Sequence, residues 1–218
     1  MLRRFASSSA ADSYANRLRE QRFALFRTLL GRLTPPVTIL DVGGTPRFWE
    51  LRGDDLPNEP RIVVINLEEF QCQDPRVTAR VGNALDMGDL PDHSFDVVFS
   101  NSVIEHVETL ENQYRMAAEI RRVGHRYFVQ TPNKLFPLEP HFLFPGYQFL
   151  PIAARVAMLR RMPLGWYPRT PDAAEAERKV RRIRLMTEKE LRVAFPGAHI
   201  YHERFYGLTK SIIAYGGW

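Results

Sequence analysis

The 218-residue chain predicts an α/β fold: a doubly wound, seven-stranded, mostly parallel sheet with an N-terminal helix and an antiparallel C-terminal hairpin. Three observations predict it. Short β-type runs alternate with helical or turn segments over about a hundred residues, which is the rhythm of βαβ units. The first run, 37–41 (VTILD), is apolar almost to its end and stops in a glycine pair, as a central parallel strand does. Residues 108–122 are too long and too periodic to be a loop, which removes an all-β architecture. With 44% hydrophobic residues, the length suits a single domain over 1–218.

The elements follow in order. Residues 13–30 read as an amphipathic helix within an N-terminal extension, 1–35. Leu18, Phe23, Phe26, Leu29 and Leu30 share one face, and Arg17, Arg19, Glu20, Arg22 and Arg27 lie largely elsewhere. Ser13 is placed to cap it and Gly31 to end it. Such a helix packs beside the sheet or over its open end. The residues before it (MLRRFASSSAAD) lack the apolar core of a secretory signal and read as a ragged start.

After the first strand, Thr45-Pro46 are suited to cap and begin a short helix through Glu50. Strands follow at 61–66 (RIVVIN), 77–81, 95–100 (FDVVFS) and 127–130, the last two separated by the 108–122 helix. Residues 134–186 leave this rhythm. An aromatic, proline-rich stretch (KLFPLEPHFLFPGYQFLP) reads as an ordered loop with short helices. A basic amphipathic stretch and a helix near 172–186 follow, and the whole reads as an insertion shaping a substrate site. Thr187 caps 188–195, with Glu190 completing a capping box. Strands 198–206 and 211–215, joined around Gly207–Lys210, form the terminal hairpin on the sheet edge.

Composition narrows the function. A single cysteine, Cys72, excludes a disulfide framework and a CxxC zinc site, so no metal is expected and a reducing, cytoplasmic compartment is the plain reading. The net charge of +5 is concentrated: residues 155–184 hold nine Arg/Lys against three acids. That is one basic segment, suited to a solvated helix face, an anionic acceptor or peripheral membrane contact. No nucleic-acid module accompanies it. No apolar run approaches the ~20 residues of a membrane span.

Chemically informative residues cluster at strand ends. Asp41-Val42-Gly43-Gly44 close the first strand, where glycines let a ligand approach the backbone. Neither GxGxxG nor GxxxxGK[ST] is present, which counts against nicotinamide and nucleoside-triphosphate binding. After the second strand, Asn66 and Glu68 offer groups for ribose hydroxyls, or equally a helix cap. After the third, Asn83 suits an adenine edge or a turn. Three polar sites after three successive strands together point to an adenosine-like ligand.

LDVGG, then INLEE, GNA and LPDHSFDVVFSNSVIEHV resemble a class I S-adenosylmethionine (SAM)-dependent methyltransferase of the "type 11" small-molecule group. The match covers about 36–133, and more loosely 187–216, with the fourth-strand block its most specific part. The resemblance implies a Rossmann-like sheet and SAM as cofactor. It implies that Asp41, Gly43, Gly44 and Thr45 border the methionine moiety, Asn66 and Glu68 the ribose side, and Asn83 and Ala84 the adenine, while Leu67, Leu85 and Met87 are suited to flank it. Asn101, at the end of the fourth strand, joins this cofactor set. Two positions depart from the family pattern: Thr45 replaces the last glycine and Asn66 the strand-two acid, leaving ribose binding to Glu68 or Glu69.

The implied activity is methyl transfer to a small-molecule acceptor such as a glycan, lipid-linked intermediate or secondary metabolite. Transfer from a sulfonium is an SN2 displacement, in which the protein chiefly aligns the nucleophile. No catalytic residue is assigned. His106, and His141 with Glu139, are substrate-side candidates or loop fasteners. The alternative is a non-catalytic protein of the same fold that binds a partner or a membrane. Oligomeric state is left open.

Overall fold

The computed structural model describes residues 14–52 and 55–218, with side chains from Arg19 onward. The expected cap Ser13, the residues before it, and the side chains of Arg17 and Leu18 lie outside the described residues.

Helix α1 (Tyr14–Leu30) precedes β1 (Thr38–Val42), and the short α2 (Pro46–Glu50) follows it. Then come β2 (Arg61–Asn66), β3 (Val77–Val81), β4 (Phe95–Asn101), α3 (Leu110–Val123) and β5 (Gly124–Pro132). The 134–186 segment holds a two-stranded ribbon, β6 (Leu138–Glu139) and β7 (Phe144–Pro145), with helices α4 (Ile152–Arg161) and α5 (Ala173–Arg181). Helix α6 (Glu188–Ala194) leads into β8 (His199–Phe205) and β9 (Leu208–Gly216).

One seven-stranded sheet runs β3-β2-β1-β4-β5-β9-β8. Strands β1 to β5 pair in parallel, while β9 is antiparallel to both β5 and β8. The sheet is therefore the doubly wound, mostly parallel one expected from the sequence, with the terminal hairpin at one edge. Strand alternation sends successive side chains to opposite faces. On β1, Ile39 joins Phe23, Phe26, Trp49 and Phe99 on the α1–α2 face. Leu40 and Val42 join Val98, Ile104, Met116 and Ile120 on the α3–α6 face. Burying Phe26, Trp49 and Phe99 almost completely contributes roughly 2–3 kcal/mol each, and this locks α1 onto the sheet.

Local chemistry explains the helix ends. Thr109 Oγ1 accepts the Asn112 amide at 3.1 Å at the start of α3, and Arg121 and Arg122 sit in its negative last turn. Asp172 caps α5 by accepting the Glu175 amide at 2.7 Å. The capping box of Thr187 and Glu190 forms as the spacing predicts. At α2, by contrast, Thr45 stands at the N-cap without a side-chain hydrogen bond, so Pro46 at the first turn starts the helix alone.

Two further differences from the sequence reading have physical causes. The hairpin turn is tighter than expected, since Leu208, Thr209 and Lys210 belong to β9. Tyr206 (φ 47°) and Gly207 (φ 81°) both take the left-handed conformation, as a two-residue hairpin turn requires. The 138–145 stretch is a ribbon and not a plain loop, because its turn wraps the Glu139 carboxylate. That group accepts the amides of His141 (2.8 Å) and Phe142 (2.5 Å). The insertion packs a cluster of its own around Phe142, Tyr147, Leu159 and Val180.

Candidate functional site

The strand order reverses between β1 and β4, which is where an open α/β sheet forms a crevice at its carboxyl edge. Backbone pairing sets three loops side by side on the β1–β2–β3 half of that edge. The Gly43 amide donates to Ile65 O at 2.7 Å, and the Gly82 amide donates to Asn66 O at 2.8 Å. Gly43-Gly44-Thr45, Asn66-Leu67-Glu68 and Asn83-Ala84 thus follow one another along the edge.

The glycine pair is required by the protein's own packing. Gly43 has φ 78°, and a Cβ there would collide with the Val103 side chain. A Cβ on Gly44 would collide with the Asp41 carboxylate. Asp41 is 1% exposed and accepts the Trp49 indole N–H at 2.7 Å. Burial pushes its carboxyl up to about 7, and the Trp49 hydrogen bond opposes that rise.

Asn66 has a structural reason to be an amide. Its Nδ2 donates to Gly44 O at 2.8 Å and more weakly to Gly43 O at 3.3 Å, while its Oδ1 accepts the Glu68 amide at 3.3 Å. A carboxylate at 66 has no donor for these carbonyls. Asn66 therefore braces the β1 turn, and the two acids that follow it, Glu68 and Glu69, are both exposed beside the 71%-exposed Leu67. Asn83 Oδ1 accepts the Leu85 amide at 3.0 Å, and its side chain is exposed at the rim.

Asn101 stands on the other side of β1, turned toward α1. Its carbonyl oxygen accepts from Arg22, whose Nη1 also donates to Gln130 Oε1 at 2.9 Å. Arg22 grips Glu203 through two further bonds, at 2.7 and 2.8 Å. Sequence reasoning left Arg22 among the polar residues of an amphipathic helix. No local pattern marks a partner that lies on the penultimate strand.

The insertion carries a pocket of its own. A cavity of about 350 Å³ is lined by residues that include Lys134, Glu139, Tyr147, Gln148, Arg155 and Arg184. Gln148 Oε1 and Arg155 Nε are buried there without hydrogen-bond partners. The basic segment is largely engaged within the chain: Arg160 and Arg169 donate to carbonyls, and Lys179 and Arg181 pair with Glu175 and Glu177 at 2.7 Å. Among the described residues, no helix is long and apolar enough to cross a membrane.

The two histidine candidates, separate in sequence, meet in space. The rings of His106 and His141 lie perpendicular with centroids 4.9 Å apart. His141 Nδ1 is 2.8 Å from Glu139 Oε1. Burial depresses His141, but the Glu139 hydrogen bond and charge outweigh it and leave the ring raised. Burial, with the charges of His141 and Arg182, pushes His106 down to about 4.

Comparisons agree with this architecture. The family described as "Methyltransferase domain" matches residues 60–126. Two uncharacterized proteins of Mycobacterium tuberculosis are similar to the chain, 36% identical over 62 residues, or 28% of this chain and 21% of each of theirs. The match thus spans about a fifth of the length of these curated relatives. Among solved structures, a SAM-dependent methyltransferase from Aquifex aeolicus is similar in fold, with TM-score 0.53 and 12% identity over 98% of this chain and 95% of that one. Phosphoethanolamine N-methyltransferase 2 of Haemonchus contortus, in complex with S-adenosyl-L-methionine, has TM-score 0.50 and 13% identity over 84% of this chain and 38% of that one. The fold and the matched segment are consistent with the class I SAM-dependent methyltransferase superfamily, at low identity.

Proposed function

We propose that the protein is a SAM-dependent methyltransferase acting on a small-molecule acceptor. One observation carries this reading: Gly43–Thr45, Asn66–Glu68 and Asn83–Ala84 are adjacent on the carboxyl edge of β1–β2–β3, next to the reversal of strand order. The donor set suits the cofactor. The Glu68 carboxylate is exposed at the β2 exit and suits two vicinal ribose hydroxyls. Asn83 presents an amide at the β3 exit for an adenine edge, with Leu67 as an apolar neighbour. Asn66 serves indirectly, by holding the Gly43–Gly44 turn in place. When bound, SAM supplies an electrophilic methyl group, and the chain's part is to hold both reactants in line and exclude water.

The acceptor side falls to the 134–186 insertion. Its cavity of about 350 Å³ is small-molecule sized, and the partnerless Arg155 Nε and Gln148 Oε1 suit an acceptor carrying both donor and acceptor groups. Lys134 and Arg155 favour an anionic substituent.

Calorimetry with SAM and S-adenosylhomocysteine tests the reading. Binding of either in the micromolar range is expected, and absence of both from the folded protein overturns it. Glu68→Ala is expected to weaken SAM binding roughly tenfold, the loss of charge-assisted hydrogen bonds worth about 1.5 kcal/mol, without changing thermal stability.

The second reading, a non-catalytic protein of this fold, is favoured by one feature, since the Asn66 side chain is engaged in bracing and does not face outward for ribose. SAM binding followed by turnover of any acceptor rules it out.

A further inference from the structure

Three side chains that share no sequence motif for a metal converge beside the cavity. Glu105 and His106 lie in the single 3-10 turn after β4, Ile104–His106, and His141 lies in the β6–β7 turn. One ligand-capable atom of each lies within 4.8 Å of the others. Glu105 is 0% exposed. Its Oε2 accepts the Thr131 hydroxyl at 2.9 Å, and its Oε1 has no partner. A buried carboxylate oxygen left unsatisfied costs about 1–3 kcal/mol or more, and it calls for a bound group or ion.

The second ring nitrogen of His141 is already assigned by its surroundings. Glu139 is 2% exposed and is fixed by the His141 and Phe142 amides, and it takes His141 Nδ1 at 2.8 Å. With Nδ1 so engaged, Nε2 is the nitrogen left to ligate. A carboxylate holding the far side of an imidazole is the usual support of a metal-ligating histidine.

We propose that Glu105, His106 and His141 form a binding site for a divalent transition-metal ion, with Glu139 as the residue that positions His141. Two imidazoles and one carboxylate suit Zn²⁺ and its neighbours, whereas Mg²⁺ and Ca²⁺ take oxygen-only shells. Three protein ligands leave a coordination position open, as in catalytic and not structural zinc sites. Glu105 and Glu139 together supply two negative charges, against which Arg182 and Arg22 are the nearby cations. Tetrahedral ligation at 2.0–2.1 Å places ligand atoms about 3.4 Å apart, so atoms now within 4.8 Å of one another close by up to about 1.4 Å on binding. Neither histidine is fully buried, and His141 sits on the β6–β7 ribbon outside the main sheet, so the shift does not require the sheet itself to move. Glu139, which holds His141, also lines the cavity of about 350 Å³, although Glu105, His106 and His141 do not line it themselves. The inference does not depend on the SAM reading, because its residues and its readout are separate.

The test uses the full chain without an affinity tag, stripped with chelator. Calorimetric titration with Zn²⁺ is expected to give one equivalent, and titration with Co²⁺ to give visible d–d absorption of a site with nitrogen ligands. His106→Asn and His141→Ala are each expected to weaken Zn²⁺ binding by about 100-fold or more, and Glu139→Gln by about 10- to 100-fold. Both histidines are partly exposed, so these variants should fold, which their circular dichroism and melting without metal will check. Absence of stoichiometric Zn²⁺ binding by the wild-type chain overturns the proposal. So does unchanged binding in the folded histidine variants, which would leave the cluster a hydrogen-bonded brace only.

Discussion

Arg22 and Glu203, 181 residues apart, form a two-pronged ion pair: Nε to Oε1 at 2.7 Å and Nη2 to Oε2 at 2.8 Å. The pair is almost wholly buried, with side-chain exposures of 12% and 1%. It ties the N-terminal helix to the C-terminal hairpin across the carboxyl edge of β4 and β5, with Asn101 and Gln130 both accepting from Arg22 Nη1. The planar fork suits arginine alone.

Glu203→Ala would leave the Arg22 guanidinium buried without its counter-charge. The expected loss is about 3–5 kcal/mol in urea unfolding. Arg22→Met with Glu203→Leu is expected to lose less than the sum of the two single changes by at least about 1 kcal/mol, since the second change removes an orphaned charge. Strict additivity would show that the pair contributes little.

Asn66→Asp restores the acid that the resembled family carries at this position, yet it is expected to destabilise. Asp would set a carboxylate against Gly44 O, which now accepts from Nδ2 at 2.8 Å. About 1–3 kcal/mol of stability is the expected cost, read by thermal or urea melts.

Gly44→Ala tests the packing of the β1 turn. The new Cβ would overlap the Asp41 carboxylate, which is itself held by Trp49. Overpacking of this kind costs about 1–3 kcal/mol or more. Gly31→Ala, where the added Cβ meets only ordinary contacts, is the control and is expected to be far milder.

Asp41 sets a pH dependence. Burial raises its native carboxyl to about 7, above the ordinary 3.8. Between these values the native state holds a proton that the unfolded chain releases, so this group's contribution falls as pH rises from about 4 to 7. The full shift corresponds to roughly 4 kcal/mol as an upper bound. Asp41→Asn is expected to flatten that decline when unfolding free energies are compared at about pH 4.5 and 7.5. A pH profile unchanged from wild type would assign the slope elsewhere.

Tyr206 holds φ 47° at 85% exposure in the hairpin turn. Tyr206→Asn places a residue there that tolerates the left-handed region, and a gain of about 0.5–1 kcal/mol is expected. A loss in melting temperature would mean that the ring contact of Tyr206 with Phe205, 4.8 Å between centroids, outweighs the backbone relief.

Much of the architecture was legible because it is written in local periodicity. VTILD, RIVVIN and FDVVFS each carry the apolar run of a parallel strand, and each is one. The capping box of Thr187 and Glu190 is likewise a short-range signal, three residues apart. The candidate cofactor residues were legible as types at strand ends, but their orientation was not. Asn66 reads as a ribose ligand in sequence and braces a turn in space. The glycine pair reads as clearance for a ligand, and the fold adds a second need for it, since a Cβ at either position would meet Val103 or Asp41.

By itself, the sequence determined the strand order's raw material, the capping box of Thr187 and Glu190 and the position of the carboxyl-edge loops, because these depend on contacts within a few residues along the chain. Only the tertiary structure decided which polar groups meet: Arg22 with Glu203, and Glu105 and His106 with His141. Those meetings depend on how β9 inserts beside β5, carrying β8 with it, and how the β6–β7 ribbon brings His141 against the turn at Ile104–His106. No spacing in the chain encodes a contact that burial and hydrogen-bond satisfaction select only once the sheet is closed.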